Sequence, residues 1–130
     1  MRHGKLMIAF AGVSLAVATA AAAAASHALA NVLSERALAS FETAVRLQFY
    51  HGLGLLALPL LADRLGAPRL AGSAGWLFIA GTLLFCGAVY VNALGGPPAI
   101  ARVAPAGGIA FIAGWIAVAA AALVGRAEKP

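Results

Sequence analysis

The feature that most limits the possible folds is a series of long segments without a charged side chain. Residues 6–29, 47–62, 74–94 and 105–124 contain no Lys, Arg, Asp or Glu. A helix needs about 20 such residues to cross the ~30 Å hydrocarbon layer of a membrane. The composition agrees, because 63% of the residues are hydrophobic, 10% are charged and the mean hydropathy is +0.95. The sequence therefore predicts an integral membrane protein.

The 130 residues have room for one domain of about four spanning helices, and no segment has the pattern of a strand. The sequence predicts an all-α bundle of four transmembrane helices at about 6–29, 37–62, 74–94 and 105–124. Two connections are rich in Gly and Pro. ADRLGAPRLAGS, residues 62–73, predicts a loop, and GGPPAIARVA, residues 95–104, predicts a tight turn.

The first apolar segment has a second interpretation. It follows the basic start MRHGK and ends in HALA, which resembles a signal-peptidase cleavage site after Ala30. Against cleavage, the uncharged run exceeds the ~7 to 15 residues of a signal-peptide core. We expect a retained helix.

The basic residues indicate an orientation. The formal charge is +5 and the pI is near 10.4, but the basic residues are scattered between apolar segments, which excludes a nucleic-acid-binding face. Short cytoplasmic connections are enriched in Lys and Arg. Both termini are therefore expected in the cytoplasm. The predicted inner side carries Arg2, Lys5, Arg64, Arg69, Arg126 and Lys129, and the outer side carries Arg36, Arg46 and Arg102.

Small residues recur every seven positions in the last two spans. Such a stripe allows two helix backbones to approach closely in lipid, where packing rather than the hydrophobic effect holds helices together. An alanine-rich composition could also produce the repeat by chance. We predict a tight bundle with little internal volume, with helix contacts at Gly81, Ala88, Gly95, Gly107 and Gly114.

A polar cluster is predicted in the second span. Gln48 and His51 are spaced i, i+3, share a helix face and lie deep in the membrane. His51 should be neutral there, since no carboxylate lies in the core of a span, and its ring needs a donor and an acceptor. Tyr90 and Asn92 are expected partners from the antiparallel third helix. Trp115 is expected to pack on Phe111.

Four stretches carry a resemblance to a known family. SHAL (26–29), FETAVRLQFYHGLGLLAL (41–58), GWLFIAGTLLFCGAVYVNAL (75–94) and PAGGIAFIAGW (105–115) resemble domain-of-unknown-function family 423, which includes the eukaryotic transmembrane protein 256. The family usually has a pattern near GAFGAHAL, where this chain reads AAAAASHAL. The resemblance implies a four-helix inner membrane protein without a settled activity. It also implies that His27, Gln48, Tyr50 and His51 are recurrent polar positions. The full predicted intramembrane cluster therefore has six members: His27, Gln48, Tyr50, His51, Tyr90 and Asn92.

Two classes of function remain open. Phosphate-loop and HExxH motifs are missing, and Cys86 is a single cysteine, so we expect no enzyme, no metal site and no cofactor. The first class is a structural or interaction module that contacts the lipid bilayer and associates with itself or a larger complex. The second is an oligomeric transporter or channel subunit, for protons or a small molecule, in which Gln48 and His51 line a polar path.

Overall fold

The computed structural model of the protein describes residues 2–126, and every regular element within this range is helical. Four helices are long and apolar enough to span a membrane: α1 (Arg2–Ser26), α2 (Glu35–Leu65), α3 (Pro68–Ala93) and α4 (Ala104–Val124, preceded by a 3-10 turn at Pro98–Val103). The prediction of an all-α protein with four spanning helices is confirmed. Lys129, one of the charges used for the orientation, lies outside the described residues.

The first connection differs from the prediction because α1 ends at Ser26 rather than near Leu29. Leu29 packs with Leu33 against a small apolar cluster of Ala25, Phe41 and Val45 at this end of the bundle. Leu29 is therefore partly buried by packing in the turn and is not part of α1. The next helix begins where the Ser34 side chain accepts a hydrogen bond from the backbone N–H of Ala37 at 3.2 Å.

The predicted loop at residues 62–73 is wrong, because most of it is helical. α2 continues to Leu65 and ends with Gly66 in the left-handed conformation (φ 63°). α3 then starts at Pro68, well before the predicted Ala74. Proline is suited to the first turn of a helix, where its missing N–H has no partner to lose. Gly66 and Pro68 thus end one helix and begin the next. The predicted tight turn at GGPPAIARVA is likewise partly helical, since the 3-10 turn at Pro98–Val103 leads directly into α4.

A five-residue π-helical segment, Thr82–Cys86, interrupts α3 near its middle. The Thr82 hydroxyl donates to the carbonyl of Phe78 at 2.8 Å, and the Cys86 thiol contacts the carbonyl of Ala44 on α2 at 3.3 Å. Such segments widen a helix locally and are common at functional sites. Here the widened segment lies against both α2 and α4.

The helices pack as two hairpins, with α1 mainly on α2 and α4 mainly on α3, and with α2 against α3 between them. Close approach depends on glycine. A Cβ added at Gly81 would collide with the Phe111 ring, and one added at Gly114 would lie 2.5 Å from the Phe78 ring. At Gly107 the collision would be with the backbone nitrogen of Phe85. Ala88 is buried as well.

Gly95 has a different role from the predicted helix contact. It lies beyond the end of α3 with a φ of 90°, and a Cβ added there would meet no atom within 4 Å. Only glycine adopts this conformation readily. The residue therefore continues the seven-residue repeat in sequence, but in the structure it belongs to the turn.

Candidate functional site: a polar cluster at mid-membrane

Gln48 joins three helices. Its side chain is 4% exposed, and its amide nitrogen donates to the carbonyl and the hydroxyl of Ser14 on α1, at 3.0 and 3.1 Å. Its amide oxygen accepts a 2.6 Å hydrogen bond from the Tyr90 hydroxyl on α3. Both ends of the amide are therefore bonded, and α2 is tied to α1 and to α3 by one side chain.

His51 makes the connection to α4. Its Nδ1 lies 2.6 Å from the carbonyl of Leu47, and its Nε2 lies 3.0 Å from the indole nitrogen of Trp115. A carbonyl can only accept and an indole N–H can only donate, so Nδ1 carries the proton and Nε2 is the acceptor. These two partners select the neutral imidazole with one defined tautomer. A proton on Nε2 would break the bond to Trp115.

Aromatic rings enclose the imidazole. Phe111 stacks on it with ring centroids 3.6 Å apart and planes 13° from parallel. Phe78 approaches edge-on at 5.3 Å. The glycine contacts described above set these positions. Phe111 fills the space beside Gly81, and Phe78 fills the space beside Gly114. The small residues and the polar cluster are therefore parts of one arrangement.

The polar groups occupy one level of the bundle. Ser14, His51 and Trp115 lie near the middle of α1, α2 and α4, and the Tyr90 hydroxyl reaches the same level from the far end of α3. Apolar side chains lie on both sides of this level. Met7, Leu55 and Leu58 pack towards the end where α1 begins, and Ala25, Phe41 and Val45 towards the opposite end. The polar residues form a layer across the bundle rather than a file from one membrane face to the other.

Three predicted members do not belong to this cluster. His27 is exposed in the turn after α1. Tyr50 is 58% exposed on the outer surface of α2, because it follows Gln48 by two residues and so points to another side of the helix. Asn92 is exposed near the end of α3. Of the six predicted residues, the structure brings together Gln48, His51 and Tyr90.

Two members were missed in the sequence. Ser14 lies on the buried stripe of α1 with Met7, Ala11 and Ala18, a spacing that could have identified it. The sequence predicts that Trp115 packs on Phe111, whereas in the structure its N–H bonds to His51. An indole N–H in the middle of a span needs an acceptor, and this requirement was the signal available.

The buried polar atoms of the site are hydrogen-bonded within the protein. Among the residues that the structure describes, no buried side-chain nitrogen or oxygen lacks a hydrogen-bond partner. Nor do three His, Cys, Asp or Glu side chains within residues 2–126 come together as a metal site would require. In chemical terms the arrangement is a set of cross-links between helices.

Comparisons with known proteins identify the family. The sequence model described as "Protein of unknown function (DUF423)" matches residues 21–108. The UPF0382 membrane protein YwdK of Bacillus subtilis is 32% identical over 119 residues, which cover 92% of this chain and 97% of that protein. The UPF0382 membrane protein SSP2132 of Staphylococcus saprophyticus is 34% identical over 112 residues, 86% and 92% of the two chains. A UPF0382 membrane protein of Haemophilus influenzae is 34% identical over 95 residues, 73% and 75% of the two. No solved structure matches. With its four spanning helices and these relatives, the chain belongs to the DUF423 family of membrane proteins.

Proposed function

We propose that the protein is a structural or interaction module of the cytoplasmic membrane, without catalytic activity. The observation that carries the proposal is the closed hydrogen bonding of the polar cluster. Gln48 and His51 use their donors and acceptors on Ser14, Tyr90, Leu47 and Trp115. In lipid, such bonds between helices fix their register.

The alternative is an oligomeric transporter or channel subunit for protons or a small molecule. It draws on one observation, an ionisable histidine near mid-membrane. Two features favour the structural function instead. A proton carrier must exchange its proton with a path on either side, whereas apolar side chains lie above and below the cluster. The acceptor nitrogen of His51 is also occupied by Trp115.

Substitutions of His51 separate the two functions. If the function is structural, His51→Gln should melt near the wild type, because glutamine can still accept a hydrogen bond from Trp115. His51→Leu should lose about 1 kcal/mol of unfolding free energy. The measurement is thermal unfolding in detergent, together with the amount of protein in the membrane. If both variants were equally stable and both lost a pH-dependent flux in reconstituted vesicles, the transporter would be correct, since glutamine does not carry a proton at neutral pH.

The proposal includes an orientation with both termini in the cytoplasm. Reporter fusions after Gly66 and after Pro130 should read as cytoplasmic, and one after Gly96 as external, because the basic residues favour the side of α1's first turn. An external reading after Pro130 would contradict the orientation. The proposal also includes partners, because the lipid-facing surface is available to contact further copies or a larger complex. Co-purification from native membranes would identify those partners.

A further inference from the structure

An open groove of about 800 Å³ lies at the end of the bundle where α1 and α3 begin and α2 ends. The groove is open to the outside of the bundle, so it is distinct from the internal volume that the sequence predicts to be small. Gly4 of α1 and Gly72 of α3 line it, and a Cβ added at Gly72 would meet no atom within 4 Å. The groove is separate from the polar cluster, whose residues do not line it.

The groove is charged at its mouth and apolar further in. Lys5 of α1 and Arg69 of α3 line the mouth with a single acid, Asp63 of α2, so that cations are in excess. All three side chains are exposed. Deeper along the same helices follow Ile8 and Trp76. From Arg69 to Trp76 the α-helical rise is about 10 Å, so one groove spans the change from headgroups to acyl chains.

Backbone groups add to the cationic character of the mouth. The residue before α3 is Ala67, and no side chain caps the helix there. The first free N–H groups of α3, at Arg69 and Leu70, therefore have no capping side chain, and Arg69 itself lines the mouth. The positive end of a helix favours an anion such as a phosphate. His3 also lines this region and packs edge-on against Trp76, with ring centroids 5.9 Å apart.

We infer that this groove binds an anionic phospholipid, with its phosphate between Lys5 and Arg69 and an acyl chain along Ile8, Leu60 and Trp76. A small soluble anion would use the mouth but leave the apolar wall without a partner. A neutral apolar molecule would leave the cations without one. A phospholipid matches both parts, because its anionic headgroup fits the charged mouth and its acyl chain fits the apolar wall, in the order in which they follow each other in a membrane. The inference goes beyond the proposed function and does not depend on whether the protein is a structural module or a transporter subunit.

The test compares lipids on the full-length protein in nanodiscs. Bound lipid is quantified by mass spectrometry after extraction into detergent and brief delipidation, with equal phosphatidylglycerol and phosphatidylcholine present. We expect the wild type to retain phosphatidylglycerol about tenfold over phosphatidylcholine, since each basic residue near the surface adds to the attraction. Lys5→Gln with Arg69→Gln should reduce this preference to near unity. Lys5→Arg with Arg69→Lys should keep it.

A matched control separates the groove from general charge attraction. Arg36→Gln with Arg102→Gln removes the same charge at the other end of the bundle and should leave the preference unchanged. An equal loss in both double variants would overturn the inference, and so would equal retention of the two lipids by the wild type. Displacement of the lipid by 10 mM inorganic phosphate would also overturn it, in favour of a site for a free anion.

A second measurement needs no substitution. Phosphatidylglycerol brominated on its acyl chains should quench tryptophan fluorescence of the wild type more than brominated phosphatidylcholine, because Trp76 lines the groove. Trp115 lies at mid-membrane outside the groove and contributes equally for both lipids. Identical quenching by the two lipids would contradict the inference even if the double variants failed to fold.

Discussion

Replacing Gly107 by alanine should destabilise the protein by about 2 to 3 kcal/mol, the upper part of the roughly 1 to 3 kcal/mol range for overpacking a close contact. The added methyl group would meet the backbone nitrogen, Cα and Cβ of Phe85. Backbone atoms in a helix cannot rotate away as the end of a side chain can, so α4 must move off α3. That movement would also disturb Phe111 and Trp115, the α4 residues that contact His51.

The neighbouring glycine supplies the control. At Gly108 an added Cβ would lie 4.0 Å from the Phe85 ring, an ordinary contact. Gly108→Ala makes the same chemical change in the same helix, and it should leave stability unchanged or raise it by up to about 1 kcal/mol through helix propensity. Unfolding in detergent, followed by far-UV circular dichroism, measures both. Equal shifts for the two variants would mean that close packing of α4 on α3 does not depend on this glycine.

Composition and spacing were sufficient for the coarse fold, because lipid imposes simple requirements. A spanning segment must be long, apolar and helical, and these properties can be read without knowledge of the partners. The same applies to Gly81, Gly107 and Gly114, where a repeat of small residues predicted contacts and the structure has aromatic side chains or backbone against them. Gly95 shows the limit, since the repeat continues into a turn.

Helix ends were harder to predict than helix centres. The sequence predicts a loop at Pro68 and Gly72, yet Pro68 begins α3 and Gly72 lies in its second turn. The sequence predicts that Leu29 is part of a span, yet it packs within a connection. Pro68 suits both a loop and the first turn of a helix, so its propensity alone did not decide the boundary. For Leu29 the deciding interaction comes from a neighbouring segment. The π-helical segment at Thr82–Cys86 has the same explanation, since its sequence is an ordinary apolar run whose partners are α2 and α4.

The polar cluster could be predicted only in part, and the reason is related. Gln48 and His51 stood out because polar side chains in lipid need partners. Which partners they find depends on how four helices are rotated about their axes, and a single sequence does not specify this. Asn92 and Tyr90 were equivalent candidates on sequence grounds. The rotation of α3 turns Tyr90 towards Gln48 and leaves Asn92 exposed.

Replacing Gln48 by methionine should cost about 2 kcal/mol of unfolding free energy. Methionine has nearly the same length and shape, so the change removes the hydrogen bonds with little change in packing. Three bonds are lost, two to Ser14 and one from Tyr90, and bonds between membrane helices average about 0.6 kcal/mol with a maximum near 1.7. The hydroxyl of Tyr90 would also lose its acceptor. Unfolding in detergent measures the loss.

Tyrosine substitutions give this prediction a matched control. Tyr90→Phe and Tyr50→Phe each remove one hydroxyl from the membrane-spanning part, but only Tyr90 bonds to Gln48, while Tyr50 is 58% exposed on the surface of α2. Tyr90→Phe should cost about 1 kcal/mol. Tyr50→Phe should have no measurable effect on stability. Equal shifts for the two would place Tyr90 with Tyr50 outside the cluster.

The combination of Gln48→Met and Tyr90→Phe tests whether the two residues act as a pair. Either single change leaves a polar group without its partner, whereas the double change removes both groups together. The double variant should therefore be more stable than the sum of the single losses predicts, by about 0.5 to 1 kcal/mol. Strict additivity would mean that Gln48 holds α1 through Ser14 but contributes nothing at α3. The structural function would then rest on His51 and Trp115 for the connection between the two hairpins, because the bond of Gln48 to Ser14 lies within the α1 and α2 hairpin.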